Sequence, residues 1–148
     1  MPYEISLPFL AAADAEAAQR GDTYIAPEHL LLAVAANASG ASATFLARHD
    51  LTSERLREAV DAVHGPRLHD VTFDGPRTIA MRTLRALAHA IDAAAARRGH
   101  TVAFTADELL IALLSDSVAR GAVIATVLER FDITVTAAQA ELAELHAA

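Results

Sequence analysis

The sequence predicts an all-α protein of eight helices, built as two tandem copies of one four-helix unit. Three observations point there. The chain is 53% hydrophobic but only 5% aromatic, rich in alanine and free of tryptophan; alanine has the best helix propensity and little preference for strands. Three segments recur in order. Gly21-Asp22-Thr23 returns as Gly99-His100-Thr101, Glu28-His29-Leu30-Leu31-Leu32-Ala33 as Asp107-Glu108-Leu109-Leu110-Ile111-Ala112, and Phe45 through Thr52 as Val127 through Thr134. Their offsets of 78, 79 and 82 residues stay nearly constant, which is the mark of a duplicated unit. Finally, Gly-Pro pairs at 65–66 and 75–76 punctuate the middle of the chain, where helices are expected to stop.

The elements follow in order. The first helix is expected over Tyr3 to Arg20 and stops at Gly21, since a helix end commonly needs a left-handed residue. Its counterpart spans Thr78 to Arg98 and stops at Gly99, with Arg97 and Arg98 set against the negative end of the helix dipole. Pro27 suits the first turn of the second helix, where its missing N–H is no loss. In the second copy Thr105-Ala106-Asp107-Glu108 has capping-box spacing. The third helices are expected over Ala41–His49 and Val118–Arg130; the fourth begin after Thr52 and Thr134 and run to His64 and His146. Leu31, Val34 and Ala35, like Leu110, Leu113 and Leu114, trace buried faces. The chain is thus one domain over 1–148, with repeat one at 1–64, a linker at 65–77 and repeat two at 78–148. Leu68, Val71 and Phe73 are expected to pin the linker to the surface.

Charge and missing residue types exclude several functions. A net charge of −7 without a basic run opposes binding to nucleic acid or anionic membranes. The absence of cysteine removes disulfides, thiolate catalysis and cysteine zinc sites. The first eighteen residues carry three acids and no basic flank, unlike a signal peptide, and no uncharged apolar run reaches about 18 residues. A cytoplasmic protein is expected. There is no phosphate-cradling loop of the type G-x-x-x-x-G-K-[ST], no H-E-x-x-H and no G-x-S-x-G, so neither enzyme activity nor a metal or cofactor is expected. His29 is expected to donate a hydrogen bond inside the fold.

Thr23-Tyr24-Ile25-Ala26-Pro27-Glu28-His29-Leu30-Leu31-Leu32-Ala33 resembles the "YIGTEHLLLAL" segment of the Clp N-terminal (Clp repeat) domain at the front of ClpA- and ClpC-type AAA+ unfoldases. The family's Gly-containing turn and "VL…LGV" helix end are matched by Ala38 to Ala41 and Phe45 to Leu51. In the second copy Gly99-His100, Arg120-Gly121 and Val127 to Ile133 match them. The resemblance implies a compact domain whose two repeats pack with pseudo-two-fold symmetry and which recruits substrates or adaptors to an ATP-driven unfoldase, with Clp unfoldase and protease components as partners. It further implies recognition of phosphoarginine proteins in ClpC-type members and of cyclic peptide antibiotics in actinobacterial ones. The Met1 start and departures from the family pattern favour a free-standing homologue over an excised domain. Such a copy could act as a decoy that sequesters those ligands. A helical DNA-binding regulator and a small hydrolase are the competing classes.

By the same resemblance, the acids Glu28 and Asp107 would pair with the phosphoarginine guanidinium, whose planar fork suits carboxylates. As plain sequence, each is a first-turn acid that complements the helix dipole. The family's aromatic-Thr starts are replaced by Pro2-Tyr3 and Ala80-Met81, so the phosphate half of that site is weakened. The other candidate surface lies on the two first helices. Tyr3, Leu7, Leu10 and Ala11 come from the first copy, and Ala80, Arg82, Arg85 and His89 from the second. On periodicity alone, Leu7 and Leu10 read equally well as core.

Overall fold

The computed structural model describes residues 9–64, 77–99, 103–116 and 122–147. These hold eight helices: α1 (Leu10–Arg20), α2 (Pro27–Ala36), α3 (Gly40–Arg48), α4 (Ser53–His64), α5 (Met81–Arg98), α6 (Ala106–Asp116), α7 (Val123–Glu129) and α8 (Val135–Ala147). The all-α class is the expected one. A two-residue parallel pair was not foreseen: β1 (Tyr24–Ile25) runs beside β2 (Thr78–Ile79).

Three helix starts depart from expectation. Phe9 is left-handed at φ 68°, so no continuous helix runs from Tyr3 to Arg20, and α1 opens at Leu10. A left-handed residue turns the chain out of the right-handed helical path, so the helix cannot pass through Phe9. Thr78 and Ile79 belong to β2, so the first helix of the second copy starts at Met81. Ala122 is extended at ψ 128°, which starts α7 at Val123 rather than Val118. The linker residues Leu68, Val71 and Phe73 lie outside the described residues.

The duplication extends to hydrogen-bond detail. Helices α3 and α7 both end on a left-handed aspartate, Asp50 at φ 53° and Asp132 at φ 59°. In each, the aspartate N–H and the next N–H reach back to the helix: Asp50 to Ala47 and Leu51 to Leu46, Asp132 to Glu129 and Ile133 to Leu128. That is the Schellman ending. The following helices then open alike, with the Thr52 and Thr134 hydroxyls accepting from the N–H of Arg55 and Ala137 at 3.2 and 3.1 Å.

Packing follows the same pairing. Helix α1 lies on α2 as α5 lies on α6; α3 meets α6 and α8 as α7 meets α2 and α4. This interchange is what a two-fold relation between the copies would produce. At the centre α2 contacts α6, and both are buried along most of their length, including Leu30, Leu32, Leu109, Leu110, Leu113 and Leu114. A helix that is apolar all round must be covered all round, and the six outer helices do so.

The β1–β2 pair ties the copies at one edge. Thr78 donates to the Thr23 carbonyl and Ala80 to that of Ile25, while the fully buried Thr83 hydroxyl donates to the same Ile25 carbonyl at 2.7 Å. Arg77 reaches across to the Asp14 carboxylate at 3.0 Å and the Asp22 carbonyl at 3.1 Å. Thr83→Val removes one of two donors to that carbonyl without changing shape. It should lower unfolding free energy by about 1 kcal/mol, read as a shifted urea midpoint at unchanged slope.

Candidate functional site

Helix α5 carries two stripes. One, comprising Thr83, Ala86, Leu87, Ala90 and Ala94, is buried against the rest of the fold. The other faces solvent and holds Met81 at 71% exposure and Leu84 at 45%, with Arg85, Ala88 and His89 also exposed. Ala80, at the N-cap of α5, and Arg82 are half-buried. Tyr24, 38% exposed, stands in the strand pair that leads into α5. These three are the large hydrophobic residues left exposed among the described residues.

The first-copy part of the expected surface is only partly described. Tyr3 and Leu7 lie outside the described residues. Leu10 is half-buried and packs against the core, and Ala11 is exposed. Helices α1 and α5 do not pack extensively on one another; α1 rests on α2 and α5 on α6, with β1–β2 linking the two sides. Sequence reasoning singled out Arg82, Arg85 and His89 on this face but missed Met81, Leu84 and Tyr24. The spacing of Met81 and Leu84 was a signal, but an apolar stripe reads as core until a second stripe is known to do the packing.

The two family-implied acids are held differently. Glu28 is 2% exposed, in the first turn of α2, and engaged within the fold. Asp107, in the first turn of α6, reaches across to the other repeat. Its oxygens accept the N–H of Ser42 at 2.7 Å and of Ala41 at 3.2 Å, capping α3 where the Ser39 side chain does not. His146 Nδ1 lies 3.4 Å from the same carboxylate. Gly40 makes this approach: its φ is +59°, and a Cβ there would stand 3.0 Å from Asp107 Oδ2. Neither carboxylate is an open fork facing solvent, and the cap occupies both oxygens of Asp107.

His29 shows how the second helices start. It is fully buried, its Nδ1 accepts the Ala26 N–H at 2.8 Å, and its Nε2 lies 2.8 Å from Asp22 Oδ2. An acceptor Nδ1 leaves Nε2–H as the donor to Asp22, so the ring is neutral, and the internal hydrogen bond expected of His29 is present. Burial pushes its pKa below the ordinary 6.5, and outweighs the hydrogen bond to Asp22 and the nearby Glu28 charge, which act upward. At the same place in copy two, the Glu108 carboxylate accepts the Thr105 N–H at 2.9 Å, and the Thr105 hydroxyl accepts the Glu108 N–H at 3.1 Å, completing the expected capping box.

Ion pairs brace this end. Arg20 bonds Asp61 and lies 3.4 Å from Asp22, and Arg57 grips Glu16 with Nε and a terminal nitrogen at 3.1 and 2.7 Å. Among the described residues no three His, Asp or Glu side chains converge as metal ligands, and no single helix is long and apolar enough to cross a membrane. What the geometry provides is a helical body in which α5 presents a partly apolar, cation-bearing face.

Residues 8–125 match the family model of the Clp repeat (R) N-terminal domain. The fold is similar to the N-terminal domain of the caseinolytic protease associated chaperone ClpD from Arabidopsis thaliana, at 15% identity and a TM-score of 0.68, covering 95% of this chain and 91% of that one. It is also similar to the Hsp104 N-terminal domain from Candida albicans, at 18% identity and a TM-score of 0.64, covering 94% and 87%. A structure from a malarial protein secretion system shares 21% identity and a TM-score of 0.63, covering 92% and 88%. At these identities the likeness is one of fold.

Two outcomes follow from the caps. Asp107→Ala should cost about 1–2 kcal/mol by uncapping α3, and Asp107→Asn, which keeps an acceptor, should cost less; urea titration of both separates them. Because native His29 has a pKa below 6.5, the unfolded chain binds more protons than the native one as pH falls below 6.5. Stability should therefore be level above that value and decline below it, until the native pKa is reached. In His29→Gln, which can still accept the Ala26 N–H, this decline should shrink when melting temperatures are compared across pH 7 to about 5.

Proposed function

We propose, on the premise that the chain belongs to the Clp repeat (R) N-terminal domain family, that it is a non-catalytic protein- or peptide-binding module. It recruits substrates or adaptors to a Clp-type unfoldase, or modulates one, in the cytoplasm. The observation that carries this reading is the outer face of α5, where Met81 and Leu84 are left to solvent beside Arg82, Arg85 and His89. Exposed methionine suits a surface that accommodates varied partners, because its side chain is flexible and polarizable. Cations beside it, on a chain of net charge −7, favour partners that bring apolar anchors flanked by acids.

Of the finer ligands, a cyclic peptide requires only this exposed face. Phosphoarginine requires the Glu28 and Asp107 carboxylates, of which one is 2% exposed and the other caps α3. The decoy role, in which a free-standing copy sequesters such a ligand away from the unfoldase, uses the α5 face in the same way.

The double variant Met81→Ser, Leu84→Ser should weaken capture of the partner by about tenfold or more while leaving the unfolding midpoint nearly unchanged, because both side chains are exposed. Calorimetric titration of wild type and variant with a cyclic peptide and with a purified Clp adaptor measures it. Equal affinities in the two proteins would remove α5 as the contact surface.

A further inference from the structure

We propose that the notch between α4 and the turn following α7 binds a carboxylate carried by a peptide or protein. The internal duplication supplies the argument. Asp50 and Asp132, like Thr52 and Thr134, occupy equivalent places at a constant offset of 82 residues, with the same left-handed turn and the same threonine cap. That offset equates His49 with Phe131 and Ala59 with Glu141. The α3–α8 and α4–α7 seams are therefore one contact made twice with different side chains.

In the α3–α8 seam the protein supplies its own carboxylate: His49 Nε2 lies 2.9 and 3.0 Å from the two oxygens of Glu141. In the α4–α7 seam Ala59 stands where Glu141 would, and an open cavity of about 170 Å³ remains, lined by Arg55, Glu58, Ala59, Arg130 and Phe131. The Arg55 guanidinium lies over the Phe131 ring at 5.0 Å and is tethered to the Asp50 carbonyl and carboxylate at 2.7 and 3.1 Å. Arg130 is exposed at the mouth. The notch thus lacks the carboxylate its sister seam contains and presents two guanidinium groups, whose fork matches a carboxylate better than imidazole does. Glu58 is the one acid in the lining and is exposed; with Asp50 tethering Arg55 the charges balance. An incoming carboxylate is held by directed donors, since a guanidinium carries five N–H groups, more than that tether engages. Its volume is below the roughly 300 Å³ at which drug-sized pockets begin, which suits a single acidic side chain or a chain end.

None of these residues lies on α1 or α5. The ligand class rests on the protein-binding reading above, but the site is separate and its test reads different residues. The test follows the arginine Nε–Hε resonances of the labelled full chain during titration with four capped alanine-based pentapeptides. One carries a central glutamate and one a central glutamine; the other two have a free or an amidated C-terminus. The glutamate and free-terminus peptides should shift Arg55 and Arg130 saturably, and whichever binds tighter identifies the source of the carboxylate. Ala59→Glu should fill the notch from within and weaken binding by about tenfold or more, with its helical circular dichroism retained. Arg130→Gln, altering an exposed side chain, should weaken it similarly and serves if Ala59→Glu fails to fold. The proposal is overturned by an equal response to the uncharged peptides, by no saturable shift up to about 10 mM, by tighter binding of inorganic phosphate, or by unchanged binding in the folded variants.

Discussion

Helices α2 and α6 are apolar on nearly every side, and the rest of the fold follows from the need to cover them. From Glu28 to Val34 α2 is buried without a break, and α6 buries Leu109, Leu110, Leu113 and Leu114. Each fully buried leucine contributes about 1.5–3 kcal/mol, a gain realised only when the two helices lie together. Each therefore borrows cover from the other copy: α7 comes over α2, and α3 over α6. The duplicated halves form one body because neither central helix can be enclosed by its own three companions.

Burying helices in this way also buries their ends, where backbone N–H groups need acceptors. The two copies meet that need with different residues at equivalent places. Glu108 and Thr105 form a reciprocal box, whereas His29 supplies half of one to Ala26, and Pro27 removes a donor that would otherwise want a partner. Asp107 goes further and caps a helix of the other repeat, bringing the start of α3 onto the start of α6. An acid that looks free for ligand in the sequence is thereby part of the joint between halves.

Because core and caps absorb these groups, the surfaces left over stand out. The outer face of α5 retains methionine and leucine where a purely structural helix would be polar. The α4–α7 seam retains an open notch where its twin is filled by Glu141. For the seam, divergence after duplication accounts for the difference, since Ala59 stands at the place equivalent to Glu141.

The sequence by itself determined the helical class, the duplication, and the ends marked by Gly21, Gly99, Thr52 and Thr134, because propensity and capping act over a few neighbouring residues. It also determined the Thr105–Glu108 box, which is local in the same sense. Only the tertiary structure decided that Phe9 breaks the first helix, that Thr78 and Ile79 pair with Tyr24 and Ile25, and that Asp107 caps α3 across 65 residues of chain. It likewise decided which of the two stripes on α5 faces solvent. The physical reason is common to all of these. Periodicity tells which residues share a face, but what covers that face, and what satisfies a buried donor or acceptor, is set by segments distant in the chain that meet only when it folds.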